Sequence, residues 1–296
     1  MKAVGKVALV TGCSSGFGHA VVGRLLERGW TVIASMRNAG SRGALFAPER
    51  SRFGTQLELC ELDVTSAADR DAVARLIQLK FGGKLDLLVN NAGFGLFGAL
   101  EDLSEEQIKR QMDVNFLGVA YLTRKLLPQL RAAHGRIINV SSFFGVSTAP
   151  LNSLYCASKF ALEGLSEALY FELQPHGVQV ALVEPGATKT QFGSNVVWGE
   201  RSHDLASPYA FQTANFQVVK QKIGERAPDM SGVVQTIARL AEARRMPLRN
   251  FCGRDAKALR CLMRLMPAAL FTALLSSFFA RSFSKREAAT LKPKTA

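Results

Sequence analysis

Val7-Ala8-Leu9-Val10-Thr11-Gly12-Cys13-Ser14-Ser15-Gly16-Phe17-Gly18-His19-Ala20-Val21 is the stretch that decides the architecture. Its first five residues are apolar or β-branched and read as a strand buried on both faces, over residues 6–11. Three glycines interrupt it. Ala20, Val21, Leu25 and Leu26 then recur at helical spacing, and Gly29 supplies a stop, so residues 18–29 read as a helix. A glycine turn between a strand and a helix lets backbone N–H groups approach a pyrophosphate at the positive helix end. The same turn in isolation is also an ordinary connection, so its meaning rests on what surrounds it.

Outward from this unit the alternation continues. Strands are expected at 31–35, 56–63, 85–90, 135–141 and 177–184, and helices at 66–78, 104–130 and 154–173. Ser66 is placed to cap the first of those helices, and Ser104 with Gln107 forms a capping box for the second. Pro128 is expected to end the regular part of the second helix. Residues 191–230 read as irregular, with scattered aromatics (Trp198, Tyr209, Phe211, Phe216), and the helical pattern resumes after Ser231. Repeated strand–helix units with continuous apolar strands predict an α/β fold, a doubly wound parallel sheet covered by helices on both faces. The organisation expected is one domain over 1–238, with a substrate loop at 191–230, and a helical C-terminal extension over 239–296.

Composition agrees with a globular protein: 48% of the 296 residues are hydrophobic and 21% charged. Net charge is +13, yet 13 Lys and Arg against three acids fall in 239–296, so 1–238 carries only +3. The basicity belongs to the tail. Five cysteines with no CxxC spacing argue against a disulfide framework or a zinc site, and no metal is expected. A reducing, cytoplasmic setting follows, since the first apolar run is too short for a signal peptide. The longest nearly apolar stretch, 267–280, is too short to span a bilayer.

The glycine spacing is T-G-x-x-x-G-x-G. Further motifs follow in order: Asn90-Asn91-Ala92-Gly93 after the fourth strand, Asn115 in the next helix, and Ser141-Ser142 after the fifth strand. Then come Tyr155-x-x-x-Lys159 and, after the sixth strand, Pro185-Gly186-x-x-x-Thr190. Over roughly residues 5–195 this set resembles the short-chain dehydrogenase/reductase family, whose fold is Rossmann-type. Ser14-Ser15, Arg37 and the tail sequence Gly253-Arg254-Asp255-Ala256-Lys257 resemble its 17β-hydroxysteroid and retinol dehydrogenase branch.

The resemblance implies a bound dinucleotide and assigns its neighbours: Gly12, Ser14, Ser15, Gly16, Phe17 and Gly18 in the turn, then Asp63 and Val64 at the adenine. Asn91, Ala92, Gly93, Tyr155, Lys159, Pro185, Gly186, Thr188 and Thr190 complete the set. An NAD site usually has an acid after the second strand for the ribose 2′-hydroxyl. Met36 stands there and Arg37 follows. A guanidinium suits a 2′-phosphate, so NADP(H) is the expected cofactor.

Tyr155 and Lys159 share a helix face. A free phenol titrates near ~10, and a fixed ammonium nearby is expected to lower that value. The resemblance makes Tyr155 the general acid/base, Ser142 the partner of the reacting oxygen, Lys159 the holder of ribose, and Asn115 the organiser of a relaying water. A Tyr–Lys pair at this spacing is also a common surface pattern. It gains meaning here from Ser142, Asn115 and the glycine turn.

Phe94, Phe143, Val146, Leu151 and Phe192 are expected to line an apolar substrate pocket, together with Ser142. The expected reaction interconverts a hydroxyl and a carbonyl on a hydrophobic molecule such as a steroid or retinoid. In the tail, residues 255–281 form basic amphipathic pieces that suit an anionic membrane surface, a second subunit or a cover for the pocket. The basic residues are not interleaved with stacking aromatics, which argues against nucleic acid. The resemblance implies a homodimer or homotetramer through the helices at 104–130 and 154–173. A catalytically silent dinucleotide-binding regulator, or a partner-binding protein acting through its tail, is the alternative.

Overall fold

The computed structural model describes residues 5–190 and 196–282. The first unit is β1 (Val7–Thr11) and α1 (Gly16–Glu27), followed by β2 (Thr31–Met36). Short helices α2 (Ala39–Arg42) and α3 (Ala47–Phe53) lead to β3 (Leu57–Glu61), α4 (Ala67–Lys80), β4 (Leu87–Asn90) and a two-residue strand β5 (Leu96–Phe97). Next come α5 (Glu105–Met112), α6 (Gly118–Ala132), β6 (Arg136–Val140), α7 (Ser153–Leu173) and β7 (Gln179–Pro185). The C-terminal part holds β8 (Val197–Trp198), α8 (Ala210–Arg226), α9 (Ser231–Glu242), β9 (Arg249–Cys252), α10 (Arg254–Leu265) and α11 (Ala268–Ser282).

Seven strands form one parallel sheet in the order β3-β2-β1-β4-β6-β7-β9. Strand geometry alternates successive side chains between faces. Accordingly Ala8 and Val10 enter a core with Val21 and Leu25 of α1 and Val233 and Ile237 of α9. Val7 and Leu9 enter the opposite core, with Val73 and Ile77 of α4, Leu122 and Leu126 of α6, and Leu173 of α7. This is the doubly wound α/β architecture, and its carboxyl strand ends bring the β1, β4, β6 and β7 loops to one edge.

The caps form as read. Ser66 accepts from the Asp69 N–H, and Ser104 and Gln107 cap each other reciprocally. Three expectations are corrected. Pro128 does not end its helix, because α6 continues to Ala132. Pro128 and Arg124 are both exposed, so the carbonyl left without a donor faces water. Residues 191–230 are not irregular throughout, since α8 occupies much of them. Its buried face carries Thr213 and Asn215 beside Phe216, which hides the apolar period. Beyond 238 the chain is not all helical. β9 reads Arg-Asn-Phe-Cys and buries only alternate residues, as an edge strand does. The boundary drawn at 238/239 falls inside α9, and 249–252 belong to the sheet.

Leu126 is fully buried in the core beneath α6, whereas Leu79 of α4 is 83% exposed. Leu126→Ala is expected to lower unfolding free energy by about 2–5 kcal/mol, and Leu79→Ala by under about 0.5 kcal/mol. Urea unfolding midpoints of the two variants check this.

Candidate active site

The glycine turn is packed too tightly for side chains. Gly12 (φ +71°) and Gly16 (φ +57°) hold left-handed conformations. A Cβ on Gly12 would lie 2.8 Å from Ala92 Cα, and one on Gly18 would lie 2.5 Å from both Asn91 Nδ2 and Gly12 O. Asn91 causes this closeness: its Nδ2 donates to the carbonyls of Thr11 (2.8 Å) and Gly12 (3.2 Å). Thr11 Oγ1 in turn accepts from the N–H groups of Asn91 and Ala92. The β1 and β4 loops are thereby locked together. Ser15, the N-cap of α1, makes no capping hydrogen bond, and the first turn of α1 holds no acid. A helix start with backbone donors still to be satisfied, beside a backbone that no Cβ obstructs, fits a pyrophosphate. Ser14 and Phe17 sit half-buried beside it.

After β2, Met36 is buried and Arg37 exposed. Burial works against ionised Asp63, but the Thr65 hydroxyl and N–H and the charges of Arg37 and Arg110 outweigh it, so its carboxyl sits below the usual range. Glu61 accepts from the N–H groups of Asn38 (2.6 Å) and Ala39 (2.7 Å), fixing the loop after β2 and placing an acid near Arg37. Val64 turns inward against Gly118, where a Cβ would lie 2.8 Å from Val64 Cγ2. Its side chain serves packing.

Tyr155 and Lys159 are carried by α7. Tyr155 and Lys159 are 6% and 7% exposed, and Lys159 Nζ lies 5.8 Å from the Tyr155 ring centroid. Nζ donates to the Val140 carbonyl at 2.9 Å, which ties the ammonium to the end of β6. Ser142, 9% exposed, hydrogen-bonds Tyr155 and accepts from the Phe144 N–H at 3.1 Å. The expected lowering of the phenol is not what the site does. Burial pushes Tyr155 up to about 12 despite the Ser142 hydrogen bond. Burial also pushes Lys159 down to about 8, opposed by Glu163. Desolvation disfavours both charged forms and here exceeds the Ser142 hydrogen bond on one and the Glu163 charge on the other.

Asn115 sits in a single π-helical stretch, Asp113–Leu117, between α5 and α6. Such a bulge re-aims a side chain within an otherwise regular helix. Asn115 Oδ1 accepts from the Phe94 N–H (3.1 Å), and Nδ2 donates to the Phe94 carbonyl (2.9 Å) and Ser158 Oγ (3.2 Å). Both amide hydrogens are committed, so the side chain holds the loop carrying Gly93 and Phe94.

The apolar pocket is gathered only in part as expected. Leu151 packs with Tyr155, Phe97, Phe144, Val196, Trp198 and Phe216. Phe143 touches this group through Phe144, while Phe94 lies on the Asn115 side under Arg110. Val146 is half-buried outside the cluster, and Phe192 lies outside the described residues. Sequence reading did not single out Phe216 of α8, or Lys220, whose ammonium lies 5.6 Å from the Phe97 ring and 5.7 Å from that of Trp198. Asp255, present in the tail motif, carries no role in the sequence reading. Its Oδ2 accepts from the Ala187 N–H at 2.8 Å, and a Cβ on Gly186 would collide with its carboxylate. The tail therefore pins the Pro185-Gly186 loop, where Thr188 donates to the Gly186 carbonyl and Thr190 is half-buried.

Comparison with known proteins agrees with this geometry. The family model described as short chain dehydrogenase matches residues 6–200. The chain is 40% identical over 192 residues to 3-ketodihydrosphingosine reductase of Bacteroides thetaiotaomicron, covering 64% of this chain and 66% of that one. It is 38% identical to retinol dehydrogenase 8 of Bos taurus, covering 63% and 60%. To 17-beta-hydroxysteroid dehydrogenase type 1 of Homo sapiens it is 38% identical, covering 64% and 59%. The match thus spans less than two thirds of the length of each of these relatives. Among solved structures, a short chain dehydrogenase/reductase from Burkholderia phymatum in complex with NAD is 26% identical, with TM-score 0.74 over 90% of this chain and 94% of that one. One from Burkholderia cenocepacia in complex with NADP is 26% identical, with TM-score 0.70 over 93% and 99%. Motif order, sheet topology and these matches agree: the chain belongs to the short-chain dehydrogenase/reductase family of oxidoreductases.

Proposed function

We propose that the protein is an NADP(H)-dependent oxidoreductase that interconverts a hydroxyl and a carbonyl on a hydrophobic substrate. The observation that carries this reading is the placement of Tyr155. It is buried, hydrogen-bonded to Ser142, one helical turn from the buried Lys159 ammonium, and walled by Phe97 and Phe144 at ring distances of 6.2 and 6.4 Å. When bound, the dinucleotide supplies the hydride in reduction and accepts it in oxidation. Tyr155 keeps its proton at neutral pH and gives it to a carbonyl oxygen. Ser142 donates a hydrogen bond to the same oxygen. Lys159 opposes phenolate loss of stability after the proton leaves and holds ribose. Asn115 keeps the Phe94 loop out of the reacting space, and Thr190 takes the carboxamide end.

The aromatic and aliphatic cluster around Tyr155 excludes water and favours a lipophilic ligand. Relatives whose names include retinol, hydroxysteroid and ketodihydrosphingosine act on molecules of that kind, which supports the same substrate class here. Tyr155→Phe is expected to cut turnover by about 10²–10⁴-fold while leaving cofactor affinity within a small factor. Stopped-flow NADPH consumption with a panel of steroids, retinoids and aliphatic ketones measures the first, and fluorescence titration the second. Normal turnover by that variant overturns the reading.

The NADP(H) preference rests on Arg37, on the absence of an acid at position 36, and on the hydroxyls of Ser14 and Ser15. Arg37→Asp is expected to lower the NADPH-to-NADH ratio of kcat/KM by about tenfold or more, since a charge-assisted hydrogen bond contributes about 1.5–3 kcal/mol. An unchanged ratio removes Arg37 from this role. Gly18→Ala, which drives a methyl into Asn91, is expected to abolish binding of either cofactor in the same titration.

For the tail we favour an anionic lipid surface. Among the described residues no helix is long and apolar enough to cross a membrane. Leu262, Leu265, Leu270, Leu274 and Phe278 are nonetheless exposed on α10 and α11, beside Lys257, Arg260 and Arg264. A second copy is proposed along α6 and α7, which expose Tyr121, Phe160 and Phe171. Co-sedimentation with phosphatidylserine vesicles is expected for the intact chain and lost in a Leu270→Ser, Leu274→Ser, Phe278→Ser variant. Equal sedimentation of both assigns that face to protein contact.

A further inference from the structure

α7 carries a third ionisable residue on the face of Tyr155 and Lys159. Glu163 stands one turn beyond Lys159 and is 4% exposed. A buried carboxylate is unfavourable unless paired. Its partner comes from β9, at the far edge of the sheet. Arg249 Nη1 donates to Glu163 Oε2 and, at 3.2 Å, to Glu184 Oε1 of β7, while Nη2 donates to Glu167 Oε2 at 2.9 Å. Glu184 is 0% exposed. One guanidinium therefore gathers three acidic side chains, two of them in the interior, where burial raises Glu163 and, with the Glu163 charge, pushes Glu184 up to about 8.

The approach of Glu163 to the site is built into the backbone. A Cβ on Gly145, in the turn after Ser142, would lie 2.9 Å from Glu163 Oε1 and 2.8 Å from Ser141 Oγ. Only glycine leaves that space. The groups facing each charge are these. Lys159 faces Tyr155 and Glu163 on its own helix and the Val140 carbonyl on β6. Glu163 faces Lys159, Ser141 at the end of β6, and Arg249. Glu184 faces Glu163, Arg249, the Asn250 N–H and Cys252.

We propose that Glu163, anchored by Arg249 and backed by Glu184, is a positioning residue that keeps Lys159 charged and aimed at the end of β6, so that Lys159 can serve Tyr155. This rests on the reading of Tyr155 as proton carrier. Phenol, ammonium, carboxylate and guanidinium then form one row of alternating polarity from the reacting oxygen to the sheet edge. A purely structural ion pair joining β9 to α7 would hold the fold equally well but would not move the titration of Lys159.

The sign follows from burial. Lys159 sits at about 8, below its ordinary value, and Glu163 raises it. The ammonium is present below that midpoint and is lost as pH rises through it. Glu163→Gln removes the opposing charge, so the midpoint falls, by about one pH unit. Activity that needs the ammonium is then lost at lower pH, with kcat down about fivefold at pH 8 and KM little changed.

Two measurements on the full chain test this. The ε-ammonium resonance of Lys159, identified as the signal missing from Lys159→Met, is followed by NMR against pH in wild type, Glu163→Gln and Glu163→Asp. The basic limb of the kcat profile is recorded for the same proteins. The expected result is a lower midpoint and limb in Glu163→Gln, with Glu163→Asp between it and wild type. A Lys159 midpoint unchanged in folded Glu163→Gln overturns the proposal. If Glu163→Gln does not fold, a midpoint in Glu163→Asp equal to wild type overturns it. Should wild type turn over no carbonyl while the Lys159 midpoint still follows Glu163, the coupling stands and the proposed function fails.

Discussion

Burial of an ammonium and a phenol on one helical face is the constraint on which the rest of the molecule depends. Lys159 and Tyr155 are drawn out of water by the sheet beneath and the aromatics above. Neither is stable there in its charged form without help. The Val140 carbonyl and Glu163 supply it to the lysine, and Ser142 supplies it to the phenol. Two of the helpers come from the end of β6 and the third from α7 itself. The doubly wound sheet matters because it delivers the ends of β6, β7 and β9 to one place.

The same logic orders the glycine turn. Asn91 and Thr11 bind two loops into one ledge, and the glycines leave that ledge bare. A polar network continues inward: Asn90 Nδ2 donates to Thr123 Oγ1 and Asn139 Oδ1, and Asn139 Nδ2 donates to Ser166 Oγ. Buried polar chains of this kind fix one arrangement, because a slip of any strand leaves donors unpaired. Asn90 thus positions the ledge from below while Asn91 closes it from above.

What sequence reading recovered was whatever leaves a local trace. Apolar runs marked β1 to β4, β6 and β7, and Ser66 and Ser104 announced their helices. The motif residues came from short spacings. What escaped it was set by contacts between distant parts of the chain. Arg249 in an unpromising tetrapeptide becomes the hub of three acidic side chains only when β9 joins the sheet. Asp255 becomes a clamp only when α10 folds back on Gly186. The phenol of Tyr155 was expected to be acidified by its neighbour, and no linear pattern reports how completely both groups are desolvated. Pro128 misled for the same reason, since its effect depends on whether the orphaned carbonyl meets water.

Catalysis depends on Tyr155 Oη reaching the oxygen borne by the carbon that gains or loses hydride. A crystal structure of the complex with NADP⁺ and a bound lipophilic alcohol measures this directly. The alcohol oxygen is expected within about 2.6–3.2 Å of both Tyr155 Oη and Ser142 Oγ. An alcohol seated with its oxygen away from both, while the ring of Tyr155 merely packs against it, would contradict the account.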